Sequence, residues 1–181
     1  MYNFTGLERN MTQLINSEQI SQLDDCWAPA VNGPRIMELG LQHLGGTPDK
    51  HSTAVISRQT AAIHCSMMVL LEPGDLVVGV SPTYTHPCVI RAVKLAGGNF
   101  VEGTGYDEFA ELMKKHAKEV KTVVVTRLAV SYDILDEDSM QKICKLARDS
   151  GCKIFIDDAG GGRVGPAFYS QSKMLEYDPD L

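Results

Sequence analysis

This chain of 181 residues has no long apolar run, no paired-cysteine motif and no excess of basic residues, and each absence removes a class of function. No stretch approaches the ~18 unbroken apolar residues of a membrane span. Glu8, Arg9 and Asn10 interrupt any apolar core near the N-terminus, so the signature of a signal peptide is missing and the expectation is a cytoplasmic protein with no membrane partner. The five cysteines, Cys26, Cys65, Cys88, Cys144 and Cys152, are odd in number and never stand at C-x-x-C spacing. That argues against a disulfide framework and against zinc, and they read as reduced packing cysteines. Lys and Arg total 17 against 23 Asp and Glu, a net charge of −6, and the basic residues are scattered. No electrostatic footprint for nucleic acid is visible. The run Gly160-Gly161-Gly162 lacks G-x-G-x-x-G spacing and follows the last strand pattern, so it is not a dinucleotide fingerprint.

What is present is alternation of β and α patterns, enough chain for one domain with a real core. Thr53 to Ser57 reads as a β-branched strand, followed by a helix from Arg58 to Leu71 that stops at Glu72-Pro73-Gly74-Asp75. Leu76 to Val80 reads as a strand, His86 to Ala96 as a helix closed by Gly97-Gly98, and Asn99 to Glu102 as a weaker strand. Asp107 is a candidate N-cap for a helix presenting Phe109, Leu112, Met113 and His116 on one face. Thr122 to Thr126 reads as a fourth strand, and the spacing of Met140, Ile143, Cys144 and Ala147 as a helix capped at Gly151. Lys153 to Asp157 is the fifth strand. Strands separated by helices predict βαβ units, a mainly parallel sheet and a three-layer α/β/α architecture. Right-handed crossovers then bring all the strand ends to one rim. Residues 1–46 read as a partly helical N-terminal arm, and 47–181 as the layered domain.

Four strand ends on that rim carry chemistry. Ile154-Phe155-Ile156 delivers Asp157 to the point where strand becomes loop, where ligands sit in open α/β sheets. A buried carboxylate there holds the nitrogen of a heterocycle protonated, because each charge favours the other; the alternative is an Asx turn. At Ser57-Arg58-Gln59-Thr60-Ala61-Ala62 a helix start offers unpaired N–H groups, a hydroxyl and a guanidinium to a phosphate. An ordinary N-cap with a surface arginine explains the same residues. In Ser81-Pro82-Thr83-Tyr84-Thr85-His86-Pro87 the prolines stiffen a loop that presents His86, with Tyr84 as the alternative, for stacking on a planar ring; a lone histidine at a helix start also serves as a cap. After the fourth strand, Arg127 offers a bidentate fork to an anion or pairs with an acid, and Ser131 or Tyr132 offers a donor to a phenolic oxygen. Arg163 stands in the same position in the glycine-rich loop.

The order of these signals resembles the large domain of the fold type I enzymes that use pyridoxal 5′-phosphate (PLP). In that resemblance Asp157 and Ala159 fall on the D-x-A motif, the acid bonding the pyridine nitrogen and the alanine packing on the ring. His86 falls on the stacking position, and Arg58, Gln59 and Thr60 on the phosphate site. Within the superfamily, the segments 45–58, 81–86, 126–133 and 157–166 are similar to the archaeal PLP-dependent proteins related to bacterial selenocysteine synthase, the L-seryl-tRNA(Sec) selenium transferase group. The resemblance implies β-replacement or elimination on a seryl or other amino acid substrate, with Arg127 or Arg163 as a substrate-binding anion clamp. It also implies a homo-oligomer. A tRNA-borne aminoacyl substrate fits the resemblance, while the acidic net charge leans against tRNA as a partner.

One departure qualifies the match. The family's Schiff-base lysine lies beyond the D-x-A acid, after another strand, and so is expected beyond Leu181. Lys173 is the only lysine after Asp157; it falls in a short helical pattern, Ser170 to Glu176, and reads as a solvated helix face. The expectation is therefore an N-terminal portion of a longer enzyme, inactive alone, without the small C-terminal domain and with a bare sheet edge. The alternative is a non-catalytic assembly module, or one half of a split protein.

Overall fold

The computed structural model describes Glu18 and residues 27–56, 58–116 and 118–181. Its elements run α1 (Trp27–Leu44), α2 (Gln59–Leu70), β1 (Leu76–Ser81), α3 (Pro87–Leu95), β2 (Asn99–Thr104), α4 (Gly105–His116), β3 (Val120–Thr126), α5 (Glu137–Asp149), β4 (Lys153–Asp157) and α6 (Gly161–Tyr169), with a 3-10 turn at Met174–Tyr177. The four strands form one parallel sheet in the order β2-β1-β3-β4. The apolar runs of β1, β3 and β4 suit strands covered on both faces, β1 and β3 in the centre of the sheet and β4 at one edge. Val77, Val124 and Phe155 point to one face and pack with Ile63 and Met67 of α2 and Val89, Ala92 and Val93 of α3. Val78, Val80, Val123, Val125, Ile154 and Ile156 alternate to the other face. There they meet Phe109 and Met113 of α4 and the Met140, Ile143, Cys144 and Ala147 stripe of α5.

Local chemistry sets the helix ends. His86 caps α3 by accepting the Cys88 N–H, with Pro87 in the first turn. Asp136 caps α5 by accepting the N–H of Ser139 at 2.7 Å. Gly151, at φ +74, turns the chain from α5 toward β4.

Several expectations are corrected. Residues 53–56 form no strand, and Val55 and Ile56 are exposed; Ser57 lies outside the described residues. Their β-branched side chains find no neighbouring strand or face, and β propensity has force only on a pleated, half-buried surface. Among the described residues the sheet thus has four strands where five were expected. Asp107 is not a cap, since α4 starts at Gly105 and Asp107 lies in its first turn, where negative charge is favourable. Residues 170–173 are not helical and only 174–177 make a 3-10 turn. Gly161, Gly162 and Arg163 lie in helix α6 rather than in a loop. The outer edge of β4 is partly covered: Leu181 donates to the Ile154 carbonyl at 3.2 Å and accepts from Ile156 at 3.0 Å, the bond pattern of a parallel bridge. The described part of the N-terminal arm is α1, which carries Leu41 into the interior. No helix among the described residues is long and apolar enough to cross a membrane.

Candidate functional site

In this strand order the chain leaves β1 toward β2 on one side, while β3 and β4 lie on the other. The crevice outside the carboxyl ends of β1 and β3 is therefore the topological switch point, where open α/β sheets bind ligands. A cavity of about 230 Å³ lies there, lined by Gln59 and Thr60 of α2, His86 and Cys88 at the start of α3, Thr126 at the end of β3, Leu128, Ala129 and Val130 beyond it, and Asp157, Ala159 and Gly160 after β4.

The strands build its floor by a change of character along one face. The residues Val77, Val124 and Phe155 are apolar, and two positions further on or one more step, the same face ends in Ser81, Thr126 and Asp157. Register aligns Val80 with Val125 and Thr126 with Asp157, so the three polar residues form one row across three strands. All three are buried. Asp157 is 7% exposed and accepts a 2.8 Å hydrogen bond from Gln59 Nε2 on Oδ1. Burial pushes its carboxyl above the ordinary value, more than the Gln59 bond and the nearby His86 draw it down. The Thr126 hydroxyl has no hydrogen-bond partner among the described residues.

His86 uses Nδ1 to accept the Cys88 N–H at 3.1 Å and to meet Cys88 Sγ at 2.9 Å, while its imidazole borders the cavity. Capping and presentation at the rim thus coexist in one side chain. Burial, with Asp157 adding to it, raises the Cys88 thiol above its ordinary pKa, so the group is held as a thiol rather than a thiolate. At the start of α2, Arg58 takes the N-cap position with extended backbone and no side-chain capping bond, which leaves the first N–H groups beside Gln59 and Thr60 at the cavity wall.

The structure thus brings together Gln59, Thr60, His86, Asp157 and Ala159. Gln59 changes role: its amide is spent on the Asp157 carboxylate rather than offered to a phosphate. Arg58 is exposed and does not border the cavity. Arg163 is exposed on α6, also away from it.

Arg127 takes the second of its two readings, pairing with an acid, and the substrate-clamp reading is corrected. It is fully buried, its Nε donates to Asp158 Oδ1 at 3.0 Å, its Nη2 pairs with Asp158 Oδ2, and its Nη1 donates to the Ser172 carbonyl at 2.8 Å. Burial opposes its charge, but Asp158 outweighs burial and the guanidinium pKa is raised. With all three nitrogens engaged, it has no fork left for a substrate anion. Ser131 bonds Thr83 at 2.9 Å and Tyr132 is an exposed turn residue with φ 68, and neither lines the cavity.

Sequence reasoning missed Thr126, Cys88 and the Asp158 counter-ion. A signal for Thr126 was there: a hydroxyl ends the Val123-Val124-Val125 run on the same face as Asp157. No lysine borders the cavity among the described residues. Lys173 is half-buried, not on a solvated helix face, and donates to the Gln42 carbonyl at 2.9 Å.

No family model matches the chain. Over 182 aligned residues it is 26% identical to a UPF0425 pyridoxal phosphate-dependent protein of Methanothermobacter thermautotrophicus, covering 100% of the chain and 45% of that protein. A protein of the same name from Methanosphaera stadtmanae is 27% identical, again over 100% of the chain and 45% of the relative. The chain spans about half the length of these curated relatives. Among solved structures, ureidoglycine-glyoxylate aminotransferase from Bacillus subtilis superposes with a TM-score of 0.59 at 17% identity, over 73% of the chain and 35% of that enzyme. The SepCysS-SepCysE N-terminal domain complex gives 0.58 at 18% identity, over 69% and 35%. Alanine aminotransferase from Pyrococcus furiosus gives 0.55 at 24% identity, over 69% and 33%. The chain is thus similar to archaeal proteins named as pyridoxal phosphate-dependent, and its sheet and helices share the fold of the PLP-dependent aminotransferases among the solved structures.

Proposed function

We propose that this chain supplies the ring-binding half of a PLP site, in an enzyme of the selenocysteine synthase-like group acting on a seryl or other amino acid substrate. The observation that carries the reading is Asp157, a buried carboxylate at the switch point that accepts from the neutral Gln59 amide and forms no salt bridge among the described residues, with burial outweighing the nearby His86. A pyridinium nitrogen is the partner that relieves this, and its proton is what makes the bound ring an electron sink. The residues present fit that group. Gln59 holds one carboxylate oxygen and so orients the other. His86 and the small Ala159 border the same cavity, a flat side chain and a minimal one for the faces of a planar ring. The start of α2 offers N–H groups and a positive dipole end to a phosphate.

The four resembling segments carry the finer reading, β-replacement or elimination with water lost from a seryl group. With no lysine at the cavity wall among the described residues, these contacts hold the cofactor without a covalent bond to this chain. Binding is then weaker than in a site that adds such a bond. A homo-oligomer and a cytoplasmic location belong to the same proposal.

The test is a PLP titration of the chain followed by visible absorbance, repeated with Asp157→Asn. The wild-type chain should bind PLP saturably, borohydride should leave the bound cofactor removable by dialysis, and the variant should lose about 10- to 100-fold in affinity, the value of a hydrogen bond to a charged group. Equal affinity in the two proteins would overturn the assignment.

A further inference from the structure

We propose that Arg127 and Asp158 are positioning residues for Asp157, their buried ion pair clamping the ends of β3 and β4 together and so setting the angle at which the Asp157 carboxylate enters the cavity. The inference rests on the PLP reading and deepens it, and it gives a task to two charged residues that do not border the cavity themselves. Thr126 of β3 pairs with Asp157 of β4, and both line the cavity. The next residue along each strand end, Arg127 and Asp158, forms the ion pair, so the cavity acid and the clamp stand back to back. Arg127 turns to the opposite face, where its guanidinium lies 5.6 Å from the centre of the Tyr177 ring, in the cluster that holds Ile154 and Ile156.

The contact is a fork, with Nε and Nη2 each meeting one Asp158 oxygen, which fixes the plane of that carboxylate as well as its distance. Two further segments anchor it: Nη1 donates to the Ser172 carbonyl at 2.8 Å, and the Arg127 carbonyl accepts from the Leu135 N–H at 2.9 Å. Gly161 and Gly165 of α6 close over the guanidinium, leaving it no room to swing, since a methyl there would stand 3.2 Å from Nε or 3.1 Å from Nη1. Fold stability does not explain such a pair. Desolvation offsets the attraction of buried charges, and apolar residues of similar size often serve the fold as well. What the fork supplies is fixed geometry one residue from Asp157. Gln59 bonds only Oδ1 of that acid, so the direction of the other oxygen follows from the backbone that Asp158 anchors. A side chain that must meet a ring nitrogen works only if its supporting residues hold it to a fraction of an ångström.

The experiment is a cycle of PLP affinities in four proteins: wild type, Arg127→Met with Asp158→Leu, Asp157→Asn, and the three substitutions combined. Exchanging the pair for apolar residues should leave the fold intact, as a thermal melt of the unliganded protein checks, and weaken PLP by about tenfold. With Asp157 already replaced, the same exchange should change affinity by less than about twofold, because its route to the ring is gone. This dependence on Asp157 is a readout that a merely structural role would not produce. If the exchange prevents folding, Arg127→Lys, which keeps the charge but not the fork, takes its place in the cycle with the same outcomes. Equal weakening of PLP in both backgrounds, or no weakening in either, overturns the positioning role while the PLP reading stands. If wild type does not bind PLP, both fall.

Discussion

At the residue scale, two neighbouring aspartates show how environment assigns roles. Asp158 is consumed by Arg127, a buried pair whose guanidinium also lies 5.6 Å from the centre of the Tyr177 ring. Tyr177 in turn donates to Glu137 at 2.5 Å, and Ser172 donates to the same carboxylate from both its hydroxyl, at 2.8 Å, and its backbone, at 3.0 Å. Those bonds outweigh burial and keep Glu137 below the ordinary carboxylate range. Asp157 forms no salt bridge among the described residues, and burial leaves its pKa raised despite the Gln59 bond and the nearby His86. The folded state therefore binds the Asp157 proton more tightly than the unfolded chain does. Stability from this group is present below its unfolded value and lost as pH rises through the raised folded value. Asp157→Asn, which keeps an acceptor for Gln59, should thus melt higher than wild type at neutral pH, and the gap should close in acid. Thermal unfolding across pH checks this, and a variant that is less stable at neutral pH would show that Asp157 already has a cationic partner. The sequence made Asp157 legible because an apolar run ends on it. It could not make Arg127 legible, since the choice between a substrate anion and an internal acid depends on where Asp158 sits, 31 residues away.

At the element scale, α6 is where local propensity and tertiary structure disagree most. Three glycines and Pro166 in nine residues are a poor helix on propensity alone. The reason lies in what the helix covers. A methyl at Gly165 would stand 2.6 Å from Gln171 Oε1 and 3.1 Å from Arg127 Nη1, and one at Gly161 would collide with Asp158. The glycine face lets the helix rest against the buried ion pair, so the glycine run serves packing rather than phosphate. Gly165→Ala should therefore destabilise the chain by about 1 to 3 kcal/mol, overpacking outweighing the gain of up to ~1 kcal/mol in helix propensity. Chemical denaturation measures it; a stabilised variant would mean that the contact relaxes freely. The strand expected at 53–57 fails for the reverse reason, good propensity with no surface to complete. By contrast β4 occupies the residues its pattern indicates, and the α5 stripe is buried at all four positions.

At the scale of the whole molecule, alternation of strand and helix patterns was enough to indicate a layered parallel sheet. It was not enough to indicate the strand order, because β1 pairs with both β2 and β3, and nothing local records a pairing such as that of Leu76 with Val120. That order makes the site. It sets the ends of β3 and β4 beside the loop after β1, so that His86, Thr126 and Asp157 border one cavity although they are distant in sequence. The fold therefore gathers isolated strand-end signals into a single cavity with a buried acid in its wall.

The central claim, that Asp157 holds the ring nitrogen of a bound PLP protonated, is tested most directly by the ¹⁵N chemical shift of PLP labelled at that nitrogen. In the wild-type chain the bound signal should be that of a pyridinium well above the pH at which free PLP loses the proton, and Asp157→Asn should return it to a neutral pyridine. A bound signal that is neutral in the wild type, or unchanged by the substitution, would contradict the account.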